Sequence, residues 1–71
     1  MDMKQAGAKL KELRGCRTKT GVAAAVGISD SALSAYENGE RTPRDEVKER
    51  LCAYYNVPIQ EVFYPNTVGQ G

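Results

Sequence analysis

The chain has no histidine and no tryptophan, and only two cysteines and three prolines. Without histidine, the side chain that most often serves acid–base steps near neutral pH is missing, and so is the commonest metal ligand. Cys16 and Cys52 stand apart, without the CxxC spacing of a zinc or redox site. They could close one disulfide, but the N-terminus lacks the apolar run of a secretory leader, so the cytosol is the expected compartment. Both thiols are expected reduced there, with Cys52 buried as a small apolar residue. No stretch reaches the ~18 apolar residues of a membrane span, so no membrane role is expected. The run GVAAAVG at residues 21–27 lacks the lysine and following hydroxyl of a phosphate-binding loop, and no strand precedes it. The carboxylates are scattered, and Cys16 has no histidine to activate it. Neither an enzyme nor a cofactor nor a metal site is expected.

One-sided charge is also lacking. Ten Lys and Arg against nine Asp and Glu leave a net charge of +1, so only the placement of charge can speak for or against nucleic acid. Seventy-one residues make one small domain, and such domains bury little core and are often supplemented by oligomerisation. A separate ligand domain does not fit in this length, so no small-molecule ligand is expected.

What the chain does contain is helical periodicity. Residues 3–14 place Ala6, Leu10 and Leu13 at i, i+4 and i+7, with Lys4, Lys9, Lys11, Glu12 and Arg14 opposite. Gly7 weakens this helix by up to ~1 kcal/mol relative to alanine, and Gly15 ends it. Thr18 is a good N-cap for a second helix over 19–26, where Val22, Ala23 and Val26 form one apolar face. Gly27 stops that helix, because glycine tolerates positive φ at a C-cap. Ser29 caps a third helix over 30–37, with Leu33 and Tyr36 on its apolar side. Its other side, Asp30, Ser31, Ala32, Ser34 and Ala35, is small and polar. Asn38-Gly39 is expected to close it in the left-handed conformation that both residues tolerate. Thr42-Pro43 is expected to open a fourth helix, threonine as N-cap and proline in the first turn, with Asp45 and Glu46 following. Val47, Leu51 and Tyr55 repeat at i+4 as a buried stripe flanked by Cys52, and Asn56 ends the helix. Pro58 starts a short fifth helix, PIQEVFY, with Ile59, Val62 and Phe63 apolar. The expected domain is 3–64, and residues 65–71 lack periodicity and are expected to fray. The fold class is all-α with five helices.

Residues 19–38 resemble the helix-turn-helix of the phage lambda repressor and Cro group, the Xre family. Val22 and Ala23 match the apolar and small residues at the helix crossing. Val26, Gly27 and Ile28 match the turn, Leu33 and Tyr36 the inward side of the recognition helix, and Tyr36-Glu37-Asn38-Gly39 its end. The likeness continues through ERTP and VKERLCAYYNVPIQEVF, covering roughly residues 6–64. Two features depart from it: the linker between helices 1 and 2 is about two residues short, and Lys19 stands where glutamine is frequent. The short linker leaves the register of helix 1, and the role of Arg14, open. Lys19 can still reach a phosphate as a point charge.

The resemblance implies a compact lambda-repressor-like domain and sequence-specific binding in the major groove of double-stranded DNA. It implies a transcriptional regulator, a repressor acting as a homodimer on a palindromic operator. By resemblance, Asp30, Ser31, Ser34 and Ala35 face base edges. Arg17, Thr18, Lys19, Ser29, Asn38, Arg41, Thr42 and Arg44 face phosphates and carry most of the salt-dependent affinity. Because the reading face lacks arginine, glutamine and asparagine at its centre, DNA shape and paired half-sites are expected to supply much of the discrimination. Asp30 has a second reading as a simple charge on the helix dipole. Glu37 reads as bonded within the domain, since a carboxylate facing phosphate costs affinity. Tyr54, Phe63 and Tyr64 read either as core or as a dimer surface. The alternative function is an antitoxin-like module whose main partner is another protein.

Overall fold

The computed structural model describes residues 3–64, and the tail expected at 65–71 lies outside them. It contains α1 (Met3–Arg14), α2 (Lys19–Val26), α3 (Asp30–Glu37), α4 (Asp45–Tyr55) and α5 (Ile59–Phe63), and among the described residues no strand. α1 packs on α3 and α5, α2 on α3 and α4, and α4 on α5. One core lies between them, with Leu10, Val22, Leu33, Leu51 and Phe63 its largest fully buried side chains. Phe63 is thereby core, whereas Tyr54 is 41% exposed.

The first three helices begin and end where their local signals place them. Thr18 Oγ1 accepts from the Gly21 N–H at 3.0 Å, and Ser29 Oγ accepts from the Ala32 N–H at 3.0 Å. Gly27, at φ 87°, turns the chain after α2, and the Gly27 and Ile28 N–H groups both donate to the Ala23 carbonyl, at 2.8 and 2.9 Å. Asn56 ends α4 in the left-handed region, at φ 60°.

Ala32, expected on the outward side of α3, is half-buried and packs against the core, and three further details differ from expectation. Asn38 is right-handed (φ −85°, ψ −5°), and the left-handed step falls on Gly39 alone, at φ 75°. The Glu40 N–H then reaches back to the Ala35 carbonyl at 2.9 Å. Asn38 therefore keeps its helical turn, and glycine takes the strained position at the lower cost. Thr42 does not cap α4. That helix begins at Asp45, after an extended Arg44 whose side chain makes no cap bond, because Pro43 is buried in the preceding loop instead of opening the helix. Pro58, likewise, precedes α5 as its extended N-cap residue.

The stripe on α4 is displaced as well. Leu51 and Cys52 are buried, but Val47 and Tyr55 are only half-buried, and Lys48 is buried at 4% exposure. Lys48 Nζ donates to the Tyr64 hydroxyl at 2.7 Å and lies 4.9 Å from the centre of that ring, with Asp45 Oδ1 at 3.6 Å. An apolar stem and a fully engaged head make this burial tolerable. Both cysteines are free, Cys16 exposed and Cys52 buried. Burial pushes the Cys52 thiol above its ordinary range, which keeps it an inert core group.

The crossing of α1 over α3 depends on Gly7, which is buried. A Cβ there would stand 2.5 Å from both the Tyr36 and the Glu37 carbonyl oxygens. The helix-propensity penalty of a mid-helix glycine is thus offset by the close approach of two backbones. Gly7→Ala gains up to ~1 kcal/mol of propensity but must separate the helices, an overpacking cost of about 1–3 kcal/mol or more. Thermal unfolding followed by circular dichroism is expected to show a melting temperature roughly 5–15 °C lower. An unchanged or raised value would contradict the tight crossing.

Candidate nucleic-acid interface

The α2–turn–α3 unit presents two helix N-termini. α2 has no acidic residue in its first turn, so its free N–H groups and positive dipole end remain available to an anion. Thr18 is exposed at that end, and Lys19, half-buried, follows it. Ser29, exposed, caps α3.

On α3, Leu33, Tyr36 and Glu37 are buried. At about 100° per residue, Asp30, Ser34, Asn38, Ser31 and Ala35 occupy an arc of ~140° on the remaining side. Asp30, Ser31 and Asn38 are exposed, while Ser34 and Ala35 are half-buried. The arc is small, polar and free of long side chains, so a large surface can approach the helix backbone closely. Arg41, Thr42 and Arg44 are exposed in the loop that follows.

Charge is distributed unevenly. Lys9 pairs with Glu12 at 3.6 Å, Arg50 with Glu46 at 3.5 Å, Lys48 with Asp45 at 3.6 Å and Arg14 with Glu37 at 2.8 Å. Among the described residues Lys19, Arg41 and Arg44, which flank the polar arc in sequence, have no carboxylate partner. Lys11 and Arg17 also lack one, but Arg17 Nη1 donates to the Leu13 carbonyl at 3.2 Å, and its guanidinium lies 5.8 Å from the centres of both the Tyr54 and Tyr55 rings. Arg17 is thus engaged on the α1–α2 linker, unlike the other cations expected at phosphates.

Two contacts in this region bring in residues that the sequence does not point to as binding groups: Arg14 and Glu37 in one, Thr20 in the other. Arg14 Nε donates to Glu37 Oε2 at 2.8 Å and its Nη2 to Oε1 at 3.2 Å, a two-point bond to a carboxylate 2% exposed. Arg14 Nη1 also donates to the Arg17 carbonyl at 2.9 Å. One guanidinium thereby ties the end of α3 to the linker that leads into α2. The bond to Glu37 is the main cause that raises the Arg14 pKa. Glu37 is bonded within the domain, as its type and place suggest, and Arg14 receives its role from it. The second contact is a hydrogen bond from Thr20 Oγ1 to Asp30 Oδ2 at 2.6 Å. Tyr55, close to the Arg14–Glu37 pair, has a buried hydroxyl with no hydrogen-bond partner among the described residues, and burial, then the charge of Glu37, raises its pKa.

Two short helices about a glycine turn, braced by three further helices, define a helix-turn-helix domain. A helix-turn-helix domain family matches residues 5–62, and the chain belongs to that family. Over 56 residues it is 36% identical to the cryptic phage CTXphi transcriptional repressor RstR of Vibrio cholerae, an alignment covering 76% of this chain and 50% of that protein. The chain spans about half the length of that curated relative. No solved structure matches significantly. No helix of the described residues is long and apolar enough to cross a membrane.

Removing one member of a buried ion pair strands the other. Arg14→Met is expected to cost about 3 kcal/mol in urea unfolding, and adding Glu37→Leu to recover more than half of it. A double variant as unstable as the sum of the two single changes would show that the ion pair is not the source of the cost.

Proposed function

We propose that the chain is a double-stranded DNA-binding transcriptional regulator: a repressor that works in the cytoplasm as a homodimer on a palindromic operator, and a binding protein, not an enzyme. The observation that carries this reading is the contrast in charge. The cations Lys9, Arg14, Lys48 and Arg50 are paired with carboxylates, whereas Lys19, Arg41 and Arg44, which flank α3 in sequence, are not. Unpaired cations before and after a small polar helix suit a polyanion with a groove between its phosphate rows. The relative named as a transcriptional repressor supports the same reading.

In this mechanism α3 enters the major groove and offers Asp30, Ser31, Ser34 and Ala35 to base edges. Serine donates or accepts, and Ala35 meets a thymine methyl. Thr18, Lys19 and Ser29 hold one side of the backbone, with Arg17 beside them, and Asn38, Arg41, Thr42 and Arg44 hold the other. A second copy sets its α3 about 34 Å away, one turn of DNA. Discrimination then comes from two modest faces acting together and from the shape of the DNA between them.

Phosphate contacts report themselves through salt. With selected operator DNA, Lys19→Ala and Arg44→Ala are each expected to weaken binding at every sequence and to lower the slope of log K against log salt by about 1. Unchanged affinity and slope would overturn the DNA reading in favour of an antitoxin-like protein partner. Sedimentation velocity with operator DNA is expected to give two chains per site. A single chain per site at tens of micromolar protein would remove the homodimer.

A further inference from the structure

Thr20 is on α2, yet its hydroxyl serves α3. Thr20 Oγ1 donates to Asp30 Oδ2 at 2.6 Å, in the short range of hydroxyl–carboxylate bonds. The bond bridges the glycine turn and ends on the first residue of α3. Asp30 is exposed, and its Oδ1 takes no hydrogen bond among the described residues. A charge that merely complements the helix dipole requires no fixed orientation. Here one oxygen is held and the other is left open, so an exposed carboxylate is ordered before any partner arrives. Ordering in advance lowers the entropy that a later contact must lose.

An ionised carboxylate only accepts hydrogen bonds. In the major groove guanine offers two acceptors, N7 and O6, and thymine offers O4, all of which repel it. Adenine offers its N6 amino donor beside an N7 acceptor, and cytosine offers its N4 amino donor alone. A single open carboxylate oxygen therefore matches cytosine best and guanine worst, and the discrimination is as much rejection as attraction. We propose that Thr20 is a positioning residue that holds Asp30 as an acceptor selecting cytosine at one base pair of each half-site. This rests on the DNA reading above and adds the base that this corner of α3 requires.

The test is enrichment of bound sites from random duplex DNA with the wild-type chain and with Asp30→Ala, Thr20→Val and Thr20→Ser, each checked for an unchanged melting curve. The wild type is expected to favour cytosine roughly tenfold at one position per half-site. Asp30→Ala should abolish that preference and leave the other positions intact. Thr20→Val should weaken it, and Thr20→Ser, which keeps the hydroxyl, should retain it. An Asp30→Ala profile unchanged at every position, or binding tightened equally for all sequences, would overturn the proposal and leave Asp30 as a dipole charge. A Thr20→Val profile identical to wild type would remove Thr20 from base selection. If the wild type enriches no sequence at all, the DNA reading falls and this inference with it. The two failures are told apart by the salt dependence of DNA binding, which survives only when base selection alone is wrong.

Discussion

How closely α1 can approach α3 decides whether the polar arc of α3 can be presented at all. α3 has eight residues, too few to be stable alone. Its apolar residues, Leu33 and Tyr36, must be held from behind, and the helix that holds them crosses at Gly7, against the Tyr36 and Glu37 carbonyls. The same crossing brings Arg14, at the end of α1, to Glu37, at the end of α3. Backbone contact and ion pair meet at one residue, Glu37, the last of α3. The first fixes distance and the second fixes rotation.

From that constraint the rest of the site follows in order. Arg14 also bonds the Arg17 carbonyl, so the linker into α2 is anchored to the helix that α2 must support. α2 then carries Lys19 at its open N-terminus and meets α3 through the Gly27 turn and the Thr20–Asp30 bond. α4 and α5 close the core beneath, with Leu51, Val62 and Phe63.

Local signals were legible in the sequence, and contacts that need the assembled fold were not. Thr18, Ser29 and Gly27 act on atoms within five residues of themselves, so α2 and α3 are found with their true bounds. The Thr42-Pro43 pair imitates a helix start, but whether a proline opens a helix or packs in a loop is settled by distant neighbours, and here it is buried. Gly7 reads as a weakness because its compensation lies 30 residues away on α3. The burial of Lys48 escapes a local reading because its acceptor, Tyr64, is the residue after α5. Among the candidate DNA-facing residues, the residue types and their order about the turn are read from the sequence, but the pairing states of the cations are not. Arg17 and Lys19 look alike in sequence, and only the Leu13 carbonyl and the tyrosine rings set them apart.

The two N-caps have a property that their capping role conceals. Thr18 and Ser29 each accept a backbone N–H, and accepting leaves a hydroxyl its own proton. The same oxygen that terminates the helix can therefore donate outward to an anion resting on that terminus. Aspartate would cap either helix as well, but it has no proton to give and a charge that repels. At α2, whose first turn has no acidic residue, the hydroxyl cap leaves the opening without negative charge, whereas at α3 Asp30 follows the cap and brings its own.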